Sequence, residues 1–167
     1  MSVDDIKAGA ELARDAITTA ITELQGAIAQ AQSLAQDAGA RGWEGVAHTV
    51  MASHQALEAA AANLTSGHEA TDSAVNAAGA ITTQLAPTDV ASRAAGVIQH
   101  YDEATNAIET AGSSVDGAYQ YAQQAEADVL CSVISGASDD ITTARQAVEA
   151  AKTTAATEQA EAANWGK

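Results

Sequence analysis

At 167 residues and a net charge of −15, the chain has the length of one domain and too acidic a balance to bind nucleic acid or an anionic membrane surface. About a quarter of the residues are alanine, none is phenylalanine and only one is proline, which predicts an all-α fold. The single cysteine excludes an intrachain disulfide, and no apolar run is long enough for a transmembrane helix.

The first predicted helix runs from about Val3 to Asp37, and its apolar residues recur three and four positions apart, as in a heptad repeat. Ser2 or Asp4 can cap its N-terminus. The acidic start lacks the basic and apolar segments of a secretory signal, so we expect a cytoplasmic protein or one exported without a cleaved signal peptide. The expected seam is Val3, Ile6, Ala10, Ala13, Ile17, Ala20, Leu24, Ala27, Ala31 and Leu34.

A glycine-rich turn is predicted at Gly39–Gly45, because glycine accepts the left-handed backbone that ends helices. The second helix is then predicted from about Glu44 to Leu85. Its heptad seam places His54 and His68 at equivalent core positions. The full seam is expected at Ala47, Val50, His54, Leu57, Ala61, Leu64, His68, Thr71, Val75, Ala78, Thr82 and Leu85.

The only proline, Pro87, marks the next boundary, and the third helix is predicted from about Asp89 to Ser135. Its register passes unbroken through Gly112-Ser113-Ser114, which favours one long helix over two. A third turn is expected at Gly136–Asp140, with a fourth helix from about Asp139 to Ala163. The seams are expected at Val90, Ala94, Val97, Tyr101, Ala104, Ile108, Ala111, Val115, Ala118, Ala122, Ala125 and Val129, and at Ile141, Ala144, Val148, Ala151 and Ala155.

Four helices joined by short turns predict an all-α, elongated antiparallel four-helix bundle, built from two coiled-coil-like hairpins with alanine-rich seams. The hairpins would span residues 1–86 and 87–167 of a single domain. Helices 2 and 3 are expected to be longer than the other two and to reach roughly 60–70 Å, which would leave an overhang or a curved end.

The residue types that catalysis and metal binding require form no recognisable pattern. No histidine has a glutamate three positions before it, as di-iron bundles need, and one cysteine cannot provide a zinc site. Cys131 and His100 are expected to lie about 45 Å apart on one helix, too far for a nucleophile and its base. We therefore expect no catalytic residue, no metal, no cofactor and no small-molecule ligand.

The two seam histidines allow two interpretations. Hydrogen bonds could satisfy His54 and His68 at the edge of the core, or the pair could form a pH-responsive seam, since histidine titrates near neutrality. If both rings are buried in the neutral form, the stability of the fold would decrease as the pH drops.

The expected protein-contact residues are aromatic side chains and a turn glycine. Tyr101 belongs to the seam and is expected in the core, whereas Tyr119 and Tyr121 flank it. The candidates are Trp43, Gly45, Tyr119, Tyr121 and Trp165.

The tripeptide Trp43-Glu44-Gly45, at a predicted hairpin turn between two long Ala/Gln-rich helices, makes the first 86 residues resemble the Trp-x-Gly (WXG) family of ESAT-like proteins exported by type VII secretion. The resemblance implies export without a cleaved signal peptide and pairing of two hairpins into an antiparallel four-helix bundle. Helices 3 and 4 would supply the second hairpin. No tyrosine here begins the family's Tyr-x-x-x-Asp/Glu export signal. The opening Met1–Ala8 also looks like that of short actinobacterial helical proteins.

The sequence therefore predicts a non-enzymatic protein–protein interaction module, most specifically a WXG-like type VII secretion substrate or adaptor. The charge favours a basic protein partner. One alternative is an intracellular scaffold, assembly or cargo subunit whose seams pair between chains, which allows self-association. A second alternative is a pH-responsive helical sensor bundle.

Overall fold

The computed structural model describes residues 3–165, and the regular structure in that range consists of four long helices. The predicted cap Ser2 lies outside the described residues. The helices contain 38, 36, 38 and 37 residues, so each is about 55 Å long. Their bounds are Val3–Ala40 for α1, Glu44–Gly79 for α2, Pro87–Gln124 for α3 and Asp128–Asn164 for α4.

The four helices form an antiparallel bundle in which each packs against two neighbours. Among the described residues, α1 and α3 each contact both α2 and α4, while the diagonal pairs α1–α3 and α2–α4 make no backbone approach. Because successive helices run in opposite directions, the α1–α2 and α3–α4 turns lie at one end and the α2–α3 connection lies at the other. The predicted fold class is confirmed.

The core follows the predicted seams of α1, α3 and α4. In α1, every expected position from Ile6 to Ala31 is buried, while Leu34 is only half-buried. In α3, the expected positions are buried from Val90 to Ala122, and in α4 from Ile141 to Ala155. Helix α3 continues through residues 112–114, as its register predicted.

The predicted seam of α2 is wrong at every second position. Val50, Leu57, Leu64, Thr71 and Ala78 are buried as expected. The alternate core positions lie one residue earlier than predicted, so His54 and His68 flank the seam instead of belonging to it. The residues buried there are Ser53, Ala60, Gly67 and Ala74 in α2, and Ile81 in the connection that follows the helix.

Close packing against α3 explains why small residues take these positions. A Cβ atom built on Gly67 would lie 3.5 Å from the Ala107 Cβ atom of α3, which is van der Waals contact. Ser53 is fully buried, and its hydroxyl donates a hydrogen bond of 2.8 Å to the Ala118 carbonyl of α3. An imidazole at either position would need space that the neighbouring helix occupies.

The predicted turn at Gly136–Asp140 is also wrong, because these residues lie inside α4. Helix α3 ends at Gln124 instead of Ser135, and residues 125–127 form the turn. The apolar run that begins at Val129 therefore opens α4, where Leu130 is buried and Val129 is exposed. As a result the four helices are nearly equal in length, and the expected overhang does not occur.

Helix α2 ends at Gly79, earlier than the predicted end at Leu85. The connection that follows turns inwards, since Ile81 is fully buried. The guanidinium of Arg93 in α3 donates a hydrogen bond of 3.0 Å to the Ala80 carbonyl, which satisfies one acceptor at the helix end.

The two hairpin turns have the same backbone geometry although their sequences differ. One residue in each turn is left-handed: Gly42 with φ of 75° and Glu126 with φ of 54°. The N–H of the next residue donates to a carbonyl in the preceding helix, at 2.9 Å in the first turn and 3.0 Å in the second. Both turns are therefore Schellman caps, in which glycine is the usual left-handed residue.

The equal turns belong to two structurally equivalent hairpins. The second hairpin repeats the element order of the first at a constant offset of 84 residues. This offset separates Pro87 from Val3, Asp128 from Glu44 and Glu126 from Gly42.

Replacing Glu126 with glycine should stabilise the protein. The substitution removes the steric cost of a left-handed non-glycine residue, so we expect the free energy of unfolding to rise by about 1 kcal/mol. The matched substitution Gly42→Ala introduces that cost in the equivalent turn and should lower it by about 1 kcal/mol. Urea unfolding monitored by circular dichroism measures both changes, and equal stability of all three proteins would contradict the turn geometry.

Candidate functional site

The two hairpin turns lie side by side and form one surface, which we call the turn end and define as residues 37–46 and 121–129. Several large apolar side chains are exposed there. The exposed fraction is 55% for Trp43, 41% for Tyr121 and 63% for Val129. Val46, in the first turn of α2, is also exposed. Single exposed apolar residues are common on proteins, so it is the number of them in the two short segments of the turn end that sets this surface apart.

The backbone of Trp43 is held by hydrogen bonds, and its ring is half exposed. Its backbone N–H donates to the Ala38 carbonyl and its carbonyl accepts from the Ala47 N–H, both at 2.9 Å. The Arg41 guanidinium lies over the indole, 5.3 Å from the ring centroid, in a cation–π contact. The indole therefore extends from a well-anchored position in the turn.

A cleft with a volume of about 260 Å³ opens beside Trp43, between the two turns. It is smaller than the roughly 300–1,000 Å³ of typical small-molecule sites and has room for one or two aliphatic side chains. Its walls come from α1, from the start of α2 and from the second turn. The lining residues are Leu34, Asp37, Ala38, Arg41, Trp43, Val46, Val50, Ala125, Glu126 and Ala127.

Exposed carboxylates surround the apolar centre of the turn end. Glu44 and Asp128 lie in the first turns of α2 and α4, where negative charge complements the helix dipoles. Asp37 and Glu126 line the cleft itself. Arg41, already placed over the indole, is the cation that faces them, so acids outnumber bases on this surface.

The structure brings some of the predicted contact residues together and separates others. Trp43, Gly45 and Tyr121 belong to the turn end. Tyr119 is half-buried and packs against the core beside a shallow depression between α3 and α4. Trp165 is 72% exposed but lies at the opposite end of the bundle, about 55 Å away.

Gly45 has no steric reason within the bundle to be glycine. A Cβ atom built at this position would meet nothing within 4 Å, and its backbone is helical. The position is exposed, so an alanine there would be accommodated without a steric clash.

His54 and His68 flank the buried seam of α2, each paired with an acid one helical turn later. The His54 Nδ1 atom is 3.5 Å from the Glu58 carboxylate, and the His68 Nδ1 atom is 3.4 Å from the Asp72 carboxylate. The His54 Nδ1 atom is buried and forms no hydrogen bond of good geometry within the described part of the chain. The pH-responsive seam stays a prediction.

Sequence reasoning missed Val46, Val129 and Glu126 as parts of this surface. Val129 had been assigned to the seam of helix 3, because no glycine or proline signalled the turn before it. Glu126 carries no sequence signal for a left-handed backbone. Val46 follows the tryptophan turn directly and could have been found from its proximity to Trp43.

Comparisons with family models, with curated proteins and with solved structures give no match to this chain. Among residues 3–165, no group of three or more histidine, cysteine, aspartate or glutamate side chains is arranged to hold a metal ion. None of the helices in that range is long and apolar enough to span a membrane. The turn end is therefore interpreted from its geometry alone.

Tyr101 is the largest fully buried side chain, and its hydroxyl finds no hydrogen-bond partner among the described residues. Burial raises the pKa of Tyr101 to about 12. An unfolded tyrosine has a pKa of about 10, so between about pH 10 and 12 the unfolded state loses a proton that the folded state keeps. The stability of the fold should therefore fall as the pH rises through this range.

The substitution Tyr101→Phe tests both consequences. It removes an unpaired buried hydroxyl, so we expect the free energy of unfolding at pH 7 to rise by about 1 kcal/mol. It also removes the titration, so the loss of stability between about pH 10 and 12 should be smaller than in the unmodified protein. The exposed Tyr121→Phe serves as the control, and identical alkaline stability profiles for the two variants would contradict the burial of Tyr101.

Proposed function

We propose that the protein is a non-enzymatic helical interaction module that binds a protein partner through its turn end. The observation that carries the proposal is the half-exposed Trp43, with its hydrogen-bonded backbone, beside an apolar cleft. Tryptophan is strongly enriched among the residues that dominate binding energy at protein interfaces, usually at the centre of the contact. Burial of the exposed indole, Tyr121 and Val129 against a partner would remove apolar surface from water and stabilise the complex.

The scaffold of the module suits this role. The backbone bonds of the two Schellman caps fix both turns, so a partner would meet a preformed surface and little conformational entropy would be lost on binding. The cleft is lined mostly by apolar residues and has room for one or two side chains of another protein.

The more specific form of the proposal is a WXG-like type VII secretion substrate or adaptor. Two structural observations support it. Trp43 and Gly45 lie at the turn between α1 and α2, and the α3–α4 hairpin packs along this first hairpin as a pairing partner would. The alternative is an intracellular scaffold or assembly subunit, and the experiments must distinguish it from an exported protein.

Partner capture in the cells that make the protein tests the interaction module. Cross-linking and mass spectrometry should identify a protein that is enriched with the unmodified chain and depleted about tenfold with Trp43→Ala. The control is Leu12→Ala, because Leu12 is 68% exposed but lies on α1, away from the turn end. An identical set of captured proteins for all three chains would overturn the proposal.

Secretion separates the export form of the proposal from the scaffold. In cells with a type VII secretion system, we expect the unmodified protein in the culture medium and the Trp43→Ala variant retained inside. Trp165→Ala is the matched control, since it removes the other indole and leaves the turn end intact. If none of the three proteins leaves the cell, the export hypothesis is wrong and the scaffold hypothesis replaces it.

A further inference from the structure

We propose that the partner of the turn end is a basic amphipathic helix, with aliphatic side chains on one face and lysine or arginine on the other. The inference rests on the proposed function, because it names the chemistry of the partner that the turn end would bind. The inference comes from an apolar cleft that is surrounded by acidic residues. The cleft is complementary to the aliphatic face of such a helix, and the carboxylates are complementary to its basic face.

The cleft selects the aliphatic face. Its volume of about 260 Å³ admits one or two leucine-sized side chains, and Leu34, Val46 and the indole of Trp43 supply apolar contacts. A helix presents apolar residues three, four and seven positions apart, so one anchor can enter the cleft while its neighbours cover adjacent exposed side chains. Val46, which is exposed and lines the cleft, is such a side chain.

The two turns carry side chains of different size at one equivalent position. Trp43 and Ala127 occupy the same position before α2 and α4, each as the residue that precedes the helix. Both residues line the cleft, with an indole at one turn and a methyl group at the other.

The carboxylates select the basic face. Asp37, Glu44, Glu126 and Asp128 are exposed around the cleft. These four carboxylates outnumber the guanidinium of Arg41, which also lines the cleft, so the surface presents a net negative potential to an incoming chain. Lysine or arginine on the partner would meet this potential at the rim while its aliphatic face is desolvated at the centre.

A second copy of this chain is a poor occupant of the same surface. Each copy carries a net charge of −15, and contact between two turn ends would bring eight exposed carboxylates together, four from each. Like charges at an interface oppose association. Charge complementarity therefore favours a basic segment over self-association.

The test uses the full-length protein and a defined probe. The probe is a fluorescein-labelled helical peptide of about 14 residues with leucine on one face and lysine on the other, and the control peptide carries glutamate in place of lysine. Fluorescence anisotropy should show saturable binding of the leucine–lysine peptide and none of the control. Trp43→Ala should weaken binding about tenfold, whereas Trp165→Ala should leave it unchanged.

A charge-matched pair of variants separates specific binding from attraction to an acidic protein. The rim variant combines Asp37→Asn, Glu44→Gln, Glu126→Gln and Asp128→Asn. The control variant has the same net charge and also loses two acids from first helical turns. It combines Asp4→Asn, Asp89→Asn, Glu11→Gln and Glu23→Gln.

The proposal expects the rim variant to bind the probe about tenfold more weakly and the control variant to bind like the unmodified protein. Equal loss in both variants, or no binding of the probe at all, would overturn it. If the rim variant loses helix by circular dichroism, the double substitution Asp37→Asn and Glu126→Gln replaces it, against Glu11→Gln and Glu23→Gln.

Two further results distinguish this inference from the proposed function. If partner capture depends on Trp43 but the leucine–lysine probe does not bind, the interaction module stands and the basic chemistry of its partner is wrong. If light scattering shows a dimer of the unmodified protein that Trp43→Ala abolishes, a second copy occupies the turn end and the basic helix is again excluded.

Discussion

The small volume of alanine at the core positions determines most of this structure. It allows neighbouring helices to approach until backbone and Cβ atoms touch, as α2 and α3 do at Gly67 and Ala107. The same small volume means that each level of the core buries little apolar surface, at about 0.8 kcal/mol for each buried methylene-sized group. The stability of the bundle must therefore accumulate over its whole length, which explains four helices of nearly equal extent.

The close approach of the helices also limits where aromatic side chains can be accommodated. Neither indole fits between closely packed alanine helices, and both Trp43 and Trp165 lie at the ends of the bundle. Tyr101 is the exception, and its hydroxyl is buried without a protein partner in the described part of the chain. The exposure of Trp43 is thus a consequence of packing, and the hydrogen-bonded turn keeps its backbone at the end of the bundle.

The helical periodicity was strong enough to predict the fold class and the cores of three helices, and the failures have specific causes. In α2, the pairs Ser53/His54 and Gly67/His68 leave the choice between two registers open in the sequence. The close approach of α3, which the sequence does not contain, favours the smaller residue of each pair. The second turn was missed because Glu126 takes a backbone conformation that normally requires glycine, and the true glycine, Gly136, lies inside a helix. For this reason only part of the turn end could be predicted. Trp43 was predictable from the sequence, whereas Val129 and Glu126 could be assigned to this surface only once the second turn was placed correctly.

The antiparallel arrangement of the two hairpins determines how far the described chain ends lie from the turn end. The first and last helices begin and end at the α2–α3 end, so the described chain ends and the turn end are separated by the full helix length, about 55 Å. Four mutually packed helices of this length bend little. A group joined at either described chain end would therefore lie about one bundle length from a partner bound at Trp43.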